Sequence, residues 1–222
     1  MDQQVHEGQS RYNPFTLALY DLIVLGLSCR LVWGCPKKHL IRMFRRGMGA
    51  RHLDVGVGTG YLPLHGAGAT TRHITLFDAN QHSLHASSQR LKALDPDTVQ
   101  GNALEPLPFA DDTFDSASAN FLLHCMPGSV ADKGALFEEL QRVVRPGGTV
   151  FGSTILAEGV PVSGRARRLM AFYNGKGVFH NTADSLADLD ERLAGAFKDH
   201  TLTVHGCVAL FEATVKAPEP AL

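Results

Sequence analysis

Leu53-Asp54-Val55-Gly56-Val57-Gly58-Thr59-Gly60 is the stretch on which the reading of this 222-residue chain turns. The apolar run over residues 51–55 reads as a strand that stops at three glycines spaced two apart. Glycine at such a stop lets the backbone turn sharply and lets a ligand approach where any β-carbon would collide. A helix is predicted to follow over residues 61–66, kept short by Gly66-Ala67-Gly68. Its positive end and free N–H groups suit an extended, nucleotide-like ligand. A second apolar strand, His73-Ile74-Thr75-Leu76-Phe77, closes on Asp78. That acid falls about 18 residues beyond Gly60, close to where a dinucleotide-type βαβ unit places the carboxylate that holds a ribose.

The length suits one well-filled α/β domain and is too short for two large ones. A hydrophobic content of 44% against 19% charged residues lies in the globular range, so a buried core rather than disorder is expected. The net charge of −1 provides no global field for nucleic acid or an anionic membrane, and neither is an expected partner. Cys29, Cys35, Cys125 and Cys207 show no C-x-x-C spacing, and the histidines form no H-E-x-x-H pattern. No metal is therefore expected, His82 and His85 read as solvated, and a reducing cytoplasm is the simplest home. The polar first ten residues do not look like a secretory signal, and the apolar run over residues 15–29 is interrupted by Asp21 and too short to span a bilayer.

Along the chain, Leu17, Tyr20, Val24 and Leu27 predict a helix over residues 14–29, and Leu40, Met43 and Phe44 a second over residues 37–48. The other face of the second helix is basic, with Lys37, Lys38, Arg42, Arg45 and Arg46 followed by Arg51. Such a stripe can bind phosphates, but no aromatic residues interleave the charges, and a solvated face is the simpler reading. Further helices are predicted over residues 83–94, from a cap at Asp132 to Val144, and around Leu186, Leu189 and Leu193. Strands are predicted at residues 99–100, 116–123 and 149–155, with Arg145-Pro146-Gly147-Gly148 ending the helix before the last of these. The alternation implies a parallel sheet with helices on both faces. Residues 201–205 and 208–215 flank Gly206-Cys207 and read as an antiparallel pair, and residues 216–222 as a loose tail.

Nicotinamide-binding loops carry G-x-G-x-x-G, whereas here the third glycine comes one residue early and Tyr61 takes its place. With Asp54 two residues before Gly56, the loop resembles motif I of the class I S-adenosylmethionine-dependent methyltransferases. Asp78, the Gly101-Asn102-Ala103 turn and Arg142-Val143-Val144-Arg145-Pro146-Gly147-Gly148 follow in that family's order, covering residues 51–155. The resemblance implies a Rossmann-like doubly wound sheet, mostly parallel with an antiparallel C-terminal strand and helices on both faces. It divides one methyltransferase domain into an N-terminal helical lid (1–48), a cofactor-binding core (49–155), substrate-side helices with a C-terminal hairpin (156–215) and the tail.

The same resemblance implies S-adenosylmethionine as cofactor and S-adenosylhomocysteine as product. Gly56, Gly58 and Gly60 would face the methionine and ribose part, Asp54 would hold the amino end, and Asp78 would accept the ribose hydroxyls. Asn102 stands where the family often has an aspartate near the adenine amino group, Ala103 would touch the ring, and Asn120 would lie at the cofactor's edge. His124 is the candidate general base. Tyr12, Tyr20 and Trp33 are candidates for one wall of an acceptor pocket, and Arg168, Tyr173 and His180 for the other. The Asn/Asp-Pro-Pro-Tyr/Phe run of amino-methylating enzymes is absent after the fourth strand, where Asn120-Phe121-Leu122-Leu123 stands. The expected acceptor is a small, fairly apolar, natural-product-like molecule methylated at oxygen, carbon or nitrogen. RNA methylation through the basic stripe over residues 37–51, a cofactor-binding interaction protein without catalysis, and a nicotinamide dehydrogenase are the competing readings.

Overall fold

A computed structural model describes residues 28–216. Tyr12, Tyr20, all but the last two residues of the helix expected at 14–29, and the tail beyond residue 216 lie outside the described residues. The strands are β1 (Arg51–Val55), β2 (His73–Asp78), β3 (Asp97–Gln100), β4 (Phe114–Asn120), β5 (Val144–Ile155), β6 (Asp199–His205) and β7 (Val208–Thr214). They form one sheet in the order β3-β2-β1-β4-β5-β7-β6. Neighbours from β3 to β5 run parallel, while β7 is antiparallel to both β5 and β6. The sheet is thus mostly parallel with an antiparallel C-terminal strand, as expected.

The helices are α1 (Cys29–Leu31), α2 (Lys37–Gly47), α3 (Tyr61–Gly66), α4 (Gln81–Arg90), α5 (Val130–Lys133), α6 (Ala135–Val143), α7 (Gly164–Gly175) and α8 (Leu186–Ala196). Because side chains alternate across a strand, each face of the sheet has its own apolar layer. Leu53, Val55, Ala117 and Val150 pack with Leu136 and Leu140 of α6 and Leu189 and Leu193 of α8. Ile74, Leu76 and Phe151 pack on the other face with Leu40, Met43 and Phe44 of α2, which recur at the helical spacing. Gly47 completes that stripe because a β-carbon there would sit 2.4 Å from the Phe151 ring. The basic face of α2 is partly engaged within the molecule: Lys37 donates to the Tyr61 phenol, Arg45 to the His65 carbonyl, and Arg46 pairs with Glu212.

Several boundaries differ from the sequence reading. β4 stops at Asn120 rather than residue 123, because Phe121 takes a left-handed φ of 50° and turns the chain over the sheet edge. Arg145-Pro146-Gly147-Gly148 does not separate helix from strand. α6 ends at Val143, β5 begins at Val144, and the run forms an irregularity where pairing shifts between Phe114 and Ser116. Asp132 is not the cap but its partner: its carboxylate accepts from the Ser129 N–H at 2.8 Å, closing a capping box on one-turn α5. The helix expected at 83–94 is α4 followed by a 3₁₀ turn at Lys92–Leu94. Among the described residues no helix is long and apolar enough to cross a membrane.

One ion pair is sealed in the interior. Lys133 and Asp184 have fully buried side chains, and the Lys133 ammonium donates to both Asp184 carboxylate oxygens at 2.8 and 2.9 Å and to the His180 carbonyl at 2.9 Å. Burial raises the Asp184 pKa and lowers that of Lys133, each opposed by the other partner. Removing one partner strands the other in the core, which is the costly case. Lys133→Ala is expected to lower stability by about 3–5 kcal/mol in urea unfolding. A loss within the range of an ordinary surface substitution would show that the pair does not hold this region.

Candidate active site

β1 leads outward to β2 and β4 leads to β5 on the other side, so the loops that follow β1 and β4 diverge and leave a crevice at the C-terminal ends of the strands. A cavity of about 270 Å³ occupies it. Its lining comes from the glycine loop, Asp78, the Gly101-Asn102-Ala103 turn, Asn120 to Leu122, Cys125 to Pro127, and Gly177, Val178 and His180.

The glycines of the loop serve different ends. Gly58 has a φ of +52°, lines the cavity, and a β-carbon on it would meet nothing within 4 Å. A β-carbon on Gly56 would instead press into the Leu122 side chain. Gly60 does not line the cavity, contrary to the expectation. It caps α3 in the left-handed region, and a β-carbon there would stand 3.0 Å from Cα and Cβ of Ser87 in α4. Its smallness lets two helices meet.

Two carboxyls face the cavity. Asp78 accepts from the Asn80 N–H at 2.8 Å and from the backbone N–H groups of Val57, Gly58 and Ala79, so it ties the glycine loop to the end of β2. Burial outweighs those bonds and pushes its pKa up to about 6. Asp54 is 3% exposed; burial and then the nearby Asp78 charge push it up to about 7 against the hydrogen bond from Ser118. Two buried carboxyls beside each other, both pushed toward protonation, suit a ligand that brings positive charge and hydroxyl groups. Asn102 Oδ1 already accepts from the Leu104 N–H at 3.1 Å, which leaves one lone pair for a ligand, and Ala103 lies beside it. Asn120 is 9% exposed; its Oδ1 accepts from the Ser153 hydroxyl, while its buried Nδ2 has no hydrogen-bond partner among the described residues. An orphaned donor at a cavity wall marks a place for a ligand acceptor.

The expected base, His124, is misplaced for that task. Its ring is 3% exposed, lies off the cavity, and meets the Phe179 ring edge-on at 4.5 Å. Nδ1 faces the Ile155 N–H at 3.4 Å, and burial, with Lys133 nearby, pushes the pKa down to about 3. Its carbonyl instead accepts from the His180 N–H at 2.7 Å. Trp33 is likewise core, 2% exposed and 6.0 Å from Phe179, rather than pocket. Tyr173 packs on Phe179 at 4.8 Å, and Arg168 is exposed on α7; neither lines the cavity. Of the described candidates for the acceptor pocket, only His180 does so. Its backbone is held at both ends, by His124 and by Lys133, and its imidazole has no hydrogen-bond partner among the described residues. Sequence reasoning missed Phe121, Met126 and Val178 on the walls, since isolated apolar residues carry no spacing signal, and Tyr61, whose ring lines the cavity while stacked on His65 at 4.1 Å.

Residues 53–152 match the methyltransferase domain family. Over 215 residues the chain is 44% identical to the demethylluteothin O-methyltransferase of Streptomyces thioluteus, covering 96% of this chain and 93% of that one. It is 36% identical over 211 residues to the physcion biosynthesis cluster O-methyltransferase of Aspergillus chevalieri, covering 93% and 94%. In fold it resembles the Haemonchus contortus phosphoethanolamine N-methyltransferase 2 solved with S-adenosylhomocysteine, at a TM-score of 0.73 and 14% identity, covering 96% of this chain and 60% of that one. The chain belongs to the class I S-adenosylmethionine-dependent methyltransferases, and S-adenosylmethionine is its cofactor.

Proposed function

We propose that this methyltransferase acts on an oxygen of a small, fairly apolar acceptor of the natural-product kind. The observation that carries the reading is the wall facing the glycine loop: Phe121, Leu122, Met126, Pro127 and Val178, with His180 as its basic side chain and no Lys or Arg among the described lining residues. Such a wall gains from burying apolar area and offers no cation to pair with a phosphorylated or acidic acceptor. Oxygen is preferred over carbon or nitrogen because the two relatives above are O-methyltransferases. The basic stripe favours no RNA reading, since Lys37, Arg45 and Arg46 are engaged within the molecule.

The residues fit the cofactor: open space at Gly58, two carboxyls held against their preference for water, and the orphaned Asn120 amide. Asp54 holds the ammonium of the amino-acid end, Asp78 the ribose hydroxyls, and Asn102 and Ala103 the adenine. S-adenosylmethionine supplies a methyl already activated on a sulfonium. What remains for the protein is alignment, exclusion of water and, for a hydroxyl acceptor, removal of one proton. His180 takes that proton. In this scheme residues 49–155 hold the cofactor and supply, through Phe121, Leu122, Met126 and Pro127, most of the acceptor wall, which Val178 and His180 complete.

Labelled methyl transfer onto a panel of apolar hydroxyl compounds and matched amines tests the reaction; label on amines alone, or cofactor binding without transfer, would overturn it. His180→Gln is expected to slow turnover by about 10²-fold or more with S-adenosylhomocysteine affinity intact. An undiminished rate would remove the proton role. Asp78→Ala is expected to weaken that affinity by about 1.5–3 kcal/mol in calorimetry. The free-protein pKa values of about 7 and about 6 for Asp54 and Asp78 also set a pH dependence. A ligand that prefers both carboxylates ionised lowers those pKa values, so affinity should fall as pH drops through them, with proton release on binding at neutral pH. A flat profile would contradict the assigned contacts.

A further inference from the structure

We propose that Ser116, His52 and Ser118 form a one-way hydrogen-bond chain that positions Asp54 for the cofactor's ammonium. The proposal rests on the role given to Asp54 above. In the parallel register His52 lies beside Ser116 and Asp54 beside Ser118, all on the face of the sheet that α2 covers. Ser116, His52 and Ser118 are fully buried. The Gly49 N–H donates to Ser116 Oγ at 2.7 Å, Ser116 Oγ lies 2.8 Å from His52 Nδ1, His52 Nε2 lies 3.1 Å from Ser118 Oγ, and Ser118 donates to Asp54 Oδ1 at 2.5 Å.

The two ends set the direction. A backbone N–H can only donate, so Ser116 accepts from Gly49 and sends its own proton to Nδ1. With Nδ1 accepting, His52 is neutral with its proton on Nε2, and that proton goes to Ser118, whose hydroxyl points at Oδ1. Burial outweighs a backbone hydrogen bond at Ser116 and pushes the His52 pKa down to about 3, in agreement with a neutral ring. Reversing the chain would require a proton on Oδ1 and would leave the Ser116 hydroxyl proton unpaired in a sealed layer. Oδ1 is therefore reserved, and any proton Asp54 takes up is confined to its other oxygen, the one left for the cavity, where an ammonium competes with it.

The surrounding packing keeps water from the chain. The serines of β4 are small enough for His52 of β1 and Phe151 of β5 to stack across them, centroids 5.5 Å apart at 17°, and Phe44 of α2 meets the imidazole edge-on at 6.3 Å. Phe44 and Phe151 carry no charge. From β2, Leu76 pairs with Asp54, and Asp78 is the charged group that acts on it.

The first test needs no variant. In ¹⁵N spectra of the full-length, ligand-free protein, His52 should show the neutral Nε2–H tautomer between about pH 5 and 8; the Nδ1–H tautomer or a charged ring would overturn the chain. Calorimetry with Ser118→Ala then compares S-adenosylhomocysteine with methylthioadenosine, which lacks the amino acid. The first ligand should bind roughly ten- to hundredfold more weakly and the second with unchanged affinity. Equal losses for both ligands would make Ser118 a merely structural residue and reject the proposal. If Asp54→Asn weakens S-adenosylhomocysteine and Ser118→Ala does not, the chain is rejected and the role of Asp54 stands; if neither does, both fail.

Discussion

The reversal of strand order between β1 and β4 is the constraint from which the site follows. Strands on one side of this line lead toward β3 and on the other toward β5, so no connection can bridge the C-terminal ends of β1 and β4. The sheet continues underneath through the pairing of these two strands, but above it the backbone parts. Asp54 and the glycine loop stand on one bank, Asn120 and the left-handed Phe121 on the other. Asp78, from the next strand out, fastens the loop with its carboxylate and so gives the first bank its shape.

Holding polar groups dry in and around such a crevice opposes folding. Asp54 and Asp78 are pushed toward their protonated forms, and His52 and His124 toward neutrality, each chiefly by burial. Hydrogen bonds limit the cost: backbone N–H groups for Asp78, the Ser118 hydroxyl for Asp54, and serines on both ring nitrogens of His52. The apolar layers above and below supply the compensating burial. A carboxyl kept dry in this way binds a cationic ligand more strongly than one already satisfied by water.

The far wall is built differently. Part of it is the turn after β4 at residues 121–127, and the rest is the segment around Gly177 to His180, which has no regular pairing with the sheet. Lys133 and Asp184 tie that segment to α5, His124 holds the His180 N–H, and the Asn181 amide donates to the Ile155 carbonyl at 2.9 Å. A loop fastened at so many points can present an apolar surface without collapsing into the cavity. The side of the crevice around the glycine loop therefore owes its form to strand ends, and the segment around Gly177 to His180 to side chains that reach from neighbouring elements.

Local signals in the sequence were sufficient for the first half. Apolar runs over residues 51–55 and 73–77, three glycines at fixed spacing and an acid closing the second strand are short-range patterns, and they located β1, the loop, β2 and Asp78. The helix expected to end near Val144 and the Gly206-Cys207 turn likewise foretold α6 and the final hairpin. Tertiary packing decided what spacing cannot encode: that Gly60 faces Ser87 rather than a ligand, and that His124 is sealed behind the wall while His180 lines it. It also decided that Lys133 finds Asp184, 51 residues away, and that two ordinary serines complete a path from Gly49 to Asp54. Spacing along a chain reports which face of its own element a residue occupies. Only the packing of distant elements against that face determines whether it meets water, a ligand or another side chain, and so what its chemistry becomes.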